Sequence, residues 1–277
     1  MAVPAFDLAV CPEMVFLDLP PVERVERIHD LSFAVEIWDH RTRDIDALAR
    51  TGTRIESMTG YLEGGLIDKA GDDAYVRTAQ ACIDVAERLG CQLLNLHGTA
   101  LDDRGLPVGS ITEVTGPMWR AAARTLERLG ALGERHSVTF CLENVNAAVD
   151  HPGVPFGRAA DTLALIETVD HPSVRMNVDL YHAQIGEGNF AEPGSTTSGR
   201  LADARLPTAE GPLRGTEYLM ELVRRPQPVV GEIQVADVPG RCEPGTGEIN
   251  CPAIRDALWS WATTARSASR RGRPATR

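Results

Sequence analysis

The sequence predicts a parallel α/β fold, a TIM-type (β/α)8 barrel in a single domain over residues 1–261, with the eighth strand missing from this chain. Three observations carry that prediction. Short apolar runs alternate with helical patterns along almost the whole length, the rhythm of repeated βα units. Seven such strands can be read, one short of a closed barrel. The first βα turn has no glycine fingerprint for phosphate, which counts against a doubly wound open sheet, the alternative fold.

The elements follow in order. Phe6 to Val10 reads as strand one, and Pro21 to Leu31 as a helix with proline in its first turn. Phe33 to Trp38 is strand two, Thr42 to Arg50 a short helix, and Arg54 to Met58 strand three. From Asp73 onward Val76, Ala79, Ile83, Ala86 and Leu89 recur at helical spacing, and Gly90 stands where a helix would end. Gln92 to Leu96 is strand four, ending at His97. Trp119, Ala122, Leu126, Leu129 and Leu132 mark the next helix, with Gly133 as its expected terminator. Val138 to Leu142 is strand five, ending at Glu143. Leu163, Ile166 and Val169 line a helix before strand six, in which Val174, Met176 and Val178 lead to Asp179. Val229 to Val235 is strand seven.

Composition narrows the function classes. A formal net charge of −11 argues against a nucleic-acid groove over most of the surface. No apolar run approaches the ~20 residues that span a bilayer. The opening residues lack a basic segment followed by an apolar core, so export is not expected and a cytoplasmic location is. The six cysteines form no CxxC pair and read as reduced core thiols.

Three strand ends carry oxygen donors: Glu143, Asp179 and Gln234. Taken singly, each has a plain structural reading as an ion pair, a turn cap or a hydrogen bond across the barrel. On three consecutive strands of a parallel barrel they would share the carboxyl face, where active sites of this architecture lie. Hard oxygen ligands suit Mg or Mn better than zinc. His182 and Arg241 are candidates for holding substrate oxygens, Arg241 because guanidinium binds a carboxylate bidentately. For His182 a structural hydrogen bond is the competing reading, close behind, and His97 divides evenly between pocket and core. Glu187 is read as support behind the site, Glu248 as a loop anchor, and Trp38 as pocket wall or packing.

The stretches CLENVN, NVDLYHAQIGEGN and GEIQVADVPGRCEPGTGEIN closely resemble the hydroxypyruvate isomerase family, within the xylose isomerase-like barrels. The resemblance runs from about Phe6 to Ile254, and the third stretch is the most specific. It implies a divalent metal held by Glu143, Asp179, Gln234 and a further Glu on strand eight. It also implies that Glu143 and that last Glu flank the substrate as the proton-transferring pair. The implied reaction interconverts hydroxypyruvate and tartronate semialdehyde through an enediolate. The alternatives are a related sugar or 2-oxo-acid isomerase or 3-epimerase, and an inactive truncated barrel. Epimerases of the superfamily usually carry His at the place of Gln234, which favours the hydroxypyruvate branch. The expected partner is a small hydroxy or oxo acid or short sugar, with no nucleic acid and no membrane; self-association is left open.

Two segments stand apart. Residues 190–214 are rich in Gly, Pro, Ser and Thr and are expected to form an exposed, poorly ordered insertion, with a substrate lid as the other reading. Residues 262–277 contain no Val, Leu, Ile, Met or Phe and cannot supply a buried strand. A natural basic tail is the plain account. The genetic code offers another: with legal codons, reading from the third base of Trp261 onward encodes Gly-His-Asp-Gly-Thr-Val-Gly-Phe-Glu-Ala-Trp. That resembles the missing strand and its Glu, so the tail is read as the product of a frameshift.

Overall fold

The computed structural model describes residues 7–102, 104–188, 207–208, 211–212, 219, 221–223 and 228–259. Strands β1 (Ala9–Val10), β2 (Ala34–Ile37), β3 (Ile55–Thr59), β4 (Leu93–Leu96), β5 (Thr139–Glu143), β6 (Val174–Asp179) and β9 (Val230–Gln234) form one parallel sheet. Its order is sequential, β1-β2-β3-β4-β5-β6-β9, and no eighth strand of it lies among the described residues. The ladder leaves β1 and β9 at its two ends, as the seven-strand reading requires. Between β6 and β9, Pro207–Thr208 (β7) and Gly211–Pro212 (β8) pair antiparallel in a separate small ladder. The rest of the 190–214 insertion expectation, and the tail 262–277, lie outside the described residues.

The strands have two chemically distinct faces because successive side chains alternate. Leu94 and Leu96, Phe140 and Leu142, and Met176 and Val178 are fully or almost fully buried in the hydrophobic core. The alternate positions carry Glu36, Ser57, Asn95, Glu143, Asn177, Asp179 and Gln234. Hydrogen bonds between these residues join strands that are not neighbours: Ser57 Oγ donates to Glu232 Oε1 at 2.7 Å, and Gln234 Nε2 to Glu36 Oε1 at 2.8 Å. Such bonds cross the inside of a curled sheet, so the barrel interior is polar and the β9 end of the sheet has come round to β2.

Helices α1 (Pro21–Asp30), α2 (Ile45–Arg50), α3 (Lys69–Leu89), α4 (Gly116–His136), α5 (Ala159–Val169) and α6 (Leu180–Gly186) connect the strands, and residues 251–259 form a last helix. Proline opens α1, and Val25 and Ile28 give it a buried face. Asp44 and Asp68 cap α2 and α3 by accepting from Ala47 N and Gly71 N, each at 2.8 Å. That cap places the start of α3 at Lys69, earlier than the expected Asp73, because a strong N-cap outweighs the absence of apolar residues in the first turn.

Two expectations need correction. Gly133 does not end its helix: α4 continues to His136, and Ser137 closes it at φ 57°. The glycine is needed for another reason, since a Cβ at 133 would stand 2.7 Å from the Val138 carbonyl oxygen where the chain doubles back into β5. Nor are all six cysteines core thiols, because only Cys82, Cys91 and Cys141 are buried and Cys242 is exposed. Gly90 caps α3 at φ 68°, as expected. No described helix is long and apolar enough to cross a membrane.

Candidate active site

The site is built at the adjoining ends of β5 and β6. Residue 144 lies one place beyond β5 and acts as an additional rung to β6. Its amide nitrogen donates to the Asp179 carbonyl at 2.9 Å, and its Oδ1 accepts from Asp179 N at 3.0 Å. This exchange by Asn144 fixes Glu143 and Asp179 side by side. Both are buried, at 4% and 3% exposure, and with His182 their ligating atoms lie within 4.8 Å of one another.

Each carboxylate uses one oxygen to hold itself and leaves the other. Glu143 Oε2 accepts from Asn95 Nδ2 and lies 3.1 Å from His97 Nε2. Its Oε1 faces His182 Nε2 at 3.7 Å. Asp179 Oδ1 accepts from His182 N at 2.9 Å and so caps α6, while Oδ2 lies 3.9 Å from His182 Nε2 and 3.8 Å from Arg241. The cap reading of Asp179 is therefore realised on Oδ1, and Oδ2 is left toward His182 and Arg241.

The tautomer of His182 follows from its neighbours. Asn146 Oδ1 accepts from Val149 N and Asp150 N, each at 3.0 Å, and this fixes which end of the amide is nitrogen. Its Nδ2 then points at His182 Nδ1 at 2.7 Å, with the Asn146 backbone N–H at 3.3 Å. Both are donors, so Nδ1 accepts and the proton of the neutral ring sits on Nε2. Burial pushes the His182 pKa down to about 3, more than Glu143 raises it, so the ring is neutral near pH 7. Nε2 is buried with no hydrogen-bond partner among the described residues. A protonated nitrogen cannot ligate a cation, so His182 stands beside the carboxylates as a donor.

The carboxylates respond in opposite directions. Burial raises Asp179, and the charge of Glu143 raises it further against the opposing pull of Arg241. Burial also acts to raise Glu143, but His97, His182 and Asn95 outweigh it and hold the group down. Glu143 is thus the ionised member, and Asp179 is a carboxyl whose negative charge needs a cation to be comfortable.

The remaining predicted residues take up distinct places. Gln234 is directly across the ladder from Asp179, and its amide nitrogen is turned to Glu36. Arg241 lies 5.1 Å from the Tyr181 ring centroid and 6.0 Å from that of Trp38. His97 Nδ1 meets Tyr61 Oη at 2.8 Å. Glu143, Asp179, His182, His97, Gln234 and Arg241 line one cavity of about 1290 Å³. Glu187 is behind it, its carboxylate accepting from Ala159 N at the start of α5. Glu248 is exposed and accepts from Gln184 at 2.9 Å, tying the last loop to α6.

Several residues of the site escaped the sequence reading. Asn95, Asn144 and Asn146 set the carboxylates and the histidine, and the paired asparagines of CLENVN were the available signal. Asp237 accepts from Val238 N, Gly245 N and Ile249 N and holds the loop that carries Arg241. His151, between His97 and His182, carried no sequence signal.

A family model for the xylose isomerase-like TIM barrel matches residues 23–260. The chain is 29% identical over 119 residues to the 2-oxo-tetronate isomerase of Pectobacterium atrosepticum, covering 43% of this chain and 34% of that protein. It is 23% identical over 186 residues to the Homo sapiens protein named "Putative hydroxypyruvate isomerase", covering 67% of this chain and 55% of that one. The matched stretches thus span about a third to a half of these relatives' lengths. Among solved structures, an AP endonuclease, family 2, from Brucella melitensis superposes with a TM-score of 0.68 at 19% identity, covering 92% of this chain and 89% of that chain. An L-ribulose 3-epimerase superposes with a TM-score of 0.63 at 19% identity, covering 91% and 77% respectively. These likenesses show the fold, and the family match over most of the length settles kinship: the chain belongs to the xylose isomerase-like TIM barrel family.

Proposed function

We propose that the chain is an isomerase of small hydroxy-oxo acids, moving a proton between adjacent carbons as in the interconversion of hydroxypyruvate and tartronate semialdehyde. The observation that carries this reading is the pair Glu143 and His182. One carboxylate oxygen is left free on an ionised, buried acid, and an imidazole N–H without a partner faces it at 3.7 Å. A base of this kind removes a proton from the carbon that bears the hydroxyl. The N–H donates to the oxygen on which negative charge then develops; the carboxylic acid formed at Glu143, which exchanges with solvent, returns a proton to the neighbouring carbon, and the hydroxyl proton passes between the two oxygens. Arg241, 30% exposed beside Asp179, would bind the substrate carboxylate.

The donor set fits a divalent cation. Asp179 Oδ2 has no hydrogen bond among the described residues and faces Arg241 at 3.8 Å, on a carboxyl raised by burial and by the Glu143 charge, and Gln234 stands across the ladder from Asp179. Asp179 and Gln234 would hold the ion, Mg or Mn by ligand type, beside the charge of Glu143, whose Oε1 is kept as the base, with His182 as substrate donor rather than ligand. When bound, the ion supplies Lewis-acid stabilisation of the substrate oxygens. The names of the relatives, 2-oxo-tetronate isomerase and hydroxypyruvate isomerase, agree with this chemistry.

The open order of the sheet favours a second reading, a barrel that binds cation and substrate but turns over slowly. One experiment separates the two. Hydroxypyruvate and a panel of short ketoses and oxo acids are incubated in deuterated water with Mg or Mn, and isomer formation and carbon-bound deuterium are followed by NMR. Isomerisation with deuterium uptake supports the first reading. Binding without either supports the second, and the absence of binding overturns both.

A further inference from the structure

His151 is buried at 7% exposure, lines the same cavity as Glu143, and has no place in the chemistry above. Its ring centroid is 5.0 Å from that of His182 and 6.2 Å from that of His97, so it lies beside the reacting position, not on it. Nδ1 is 2.6 Å from the Gly105 carbonyl oxygen. A carbonyl can only accept, so Nδ1 carries the proton and Nε2 of the neutral ring presents a lone pair. No described residue donates to that Nε2. The backbone is also held, because His151 N donates to Asn146 O at 3.0 Å on the segment that orients His182. The result is a fixed hydrogen-bond acceptor in the cavity wall, next to the groups that handle the proton.

An acceptor selects for a donor. The carbonyl and carboxylate oxygens of a short oxo acid cannot satisfy Nε2, and the hydroxyl of a three-carbon substrate is already engaged in the reaction. We propose that His151 is a specificity residue that accepts a hydrogen bond from a hydroxyl one carbon beyond the reacting pair, so that the site prefers polyhydroxy oxo acids or ketoses of four or more carbons. This rests on the isomerase reading of the same site and narrows its substrate class.

The test is equilibrium binding of hydroxypyruvate and of 2-oxo-tetronate to the full chain, wild type and His151→Phe, with Mg present. The wild type is expected to favour the four-carbon probe by about tenfold or more, the range for a pocket built to pair a hydroxyl. His151→Phe should bring the ratio of affinities close to unity. A residue that only anchored the Gly105 loop would weaken both probes alike and leave the ratio intact, which would overturn the assignment. Nitrogen-15 NMR of the wild-type imidazoles provides a readout that does not depend on the variant folding. The His151 Nε2 resonance should move with the four-carbon probe and not with the three-carbon one, and equal shifts with both count against the proposal. If the binding preference holds while neither probe is isomerised, the isomerase reading fails and the specificity role stands.

Discussion

Replacing Glu187 with Gln gives a stability change whose sign depends on pH. Burial raises the Glu187 pKa to about 7 from an ordinary 4.5, more than the Ala159 N–H and Arg158 lower it. A carboxyl raised in the folded state binds more protons there than in the unfolded chain. Stability is therefore highest below the unfolded value and falls as pH rises through the window from about 4.5 to 7. The difference corresponds to about 3 kcal/mol at pH 8, as an upper figure. Glutamine keeps the acceptor for Ala159 N and removes the charge. Glu187→Gln should thus be nearly neutral at pH 4.5 and more stable than wild type at pH 8, raising Tm by roughly 6 °C for a chain of this size. Thermal melts followed by circular dichroism between those pH values are sufficient. Melting curves of the two proteins that stay parallel across the window would refute the buried, proton-binding environment assigned to Glu187.

Three further outcomes follow from the geometry. Gly98→Ala should cost about 1–3 kcal/mol, because the added Cβ would stand 1.9 Å from the Pro155 carbonyl oxygen and must displace backbone beside His97; an unchanged melting temperature would contradict that packing. Asp237→Ala removes the acceptor for Val238 N, Gly245 N and Ile249 N, and should weaken binding of carboxylate substrates about tenfold by loosening the loop under Arg241; titration with hydroxypyruvate checks it. For residues 262–277, sequencing the gene should reveal the shifted reading that begins at the third base of Trp261, and a coding strand without it removes the frameshift account.

Fold class and strand positions were legible because each barrel strand carries a burial pattern set by its own residues, as Phe140, Leu142, Met176 and Val178 show. The strand-end donors Glu143, Asp179 and Gln234 were legible for the same reason, since register in a parallel barrel carries all strand ends to one face. What escaped depended on contacts distant in sequence. Asn95 reaches Glu143, Asn146 reaches His182, and His151 reaches the Gly105 carbonyl. No local period encodes such pairs. Gly133 was misread because a glycine near the end of a helical pattern signals a cap equally well as a close approach, and only the returning chain at Val138 distinguishes them.

The proposed cation site is tested most directly by calorimetric titration of Mn into wild type and Asp179→Asn, with melting curves taken in its absence. Burial and the Glu143 charge raise the Asp179 carboxyl above its ordinary range. Without a cation, stability contributed through this group falls as pH rises above the unfolded carboxylate value. Asparagine retains the cap on α6 and removes the charge. Asp179→Asn should melt at or above the wild-type temperature at pH 7.5 while losing Mn binding. Undiminished Mn affinity in that variant would contradict the proposed site.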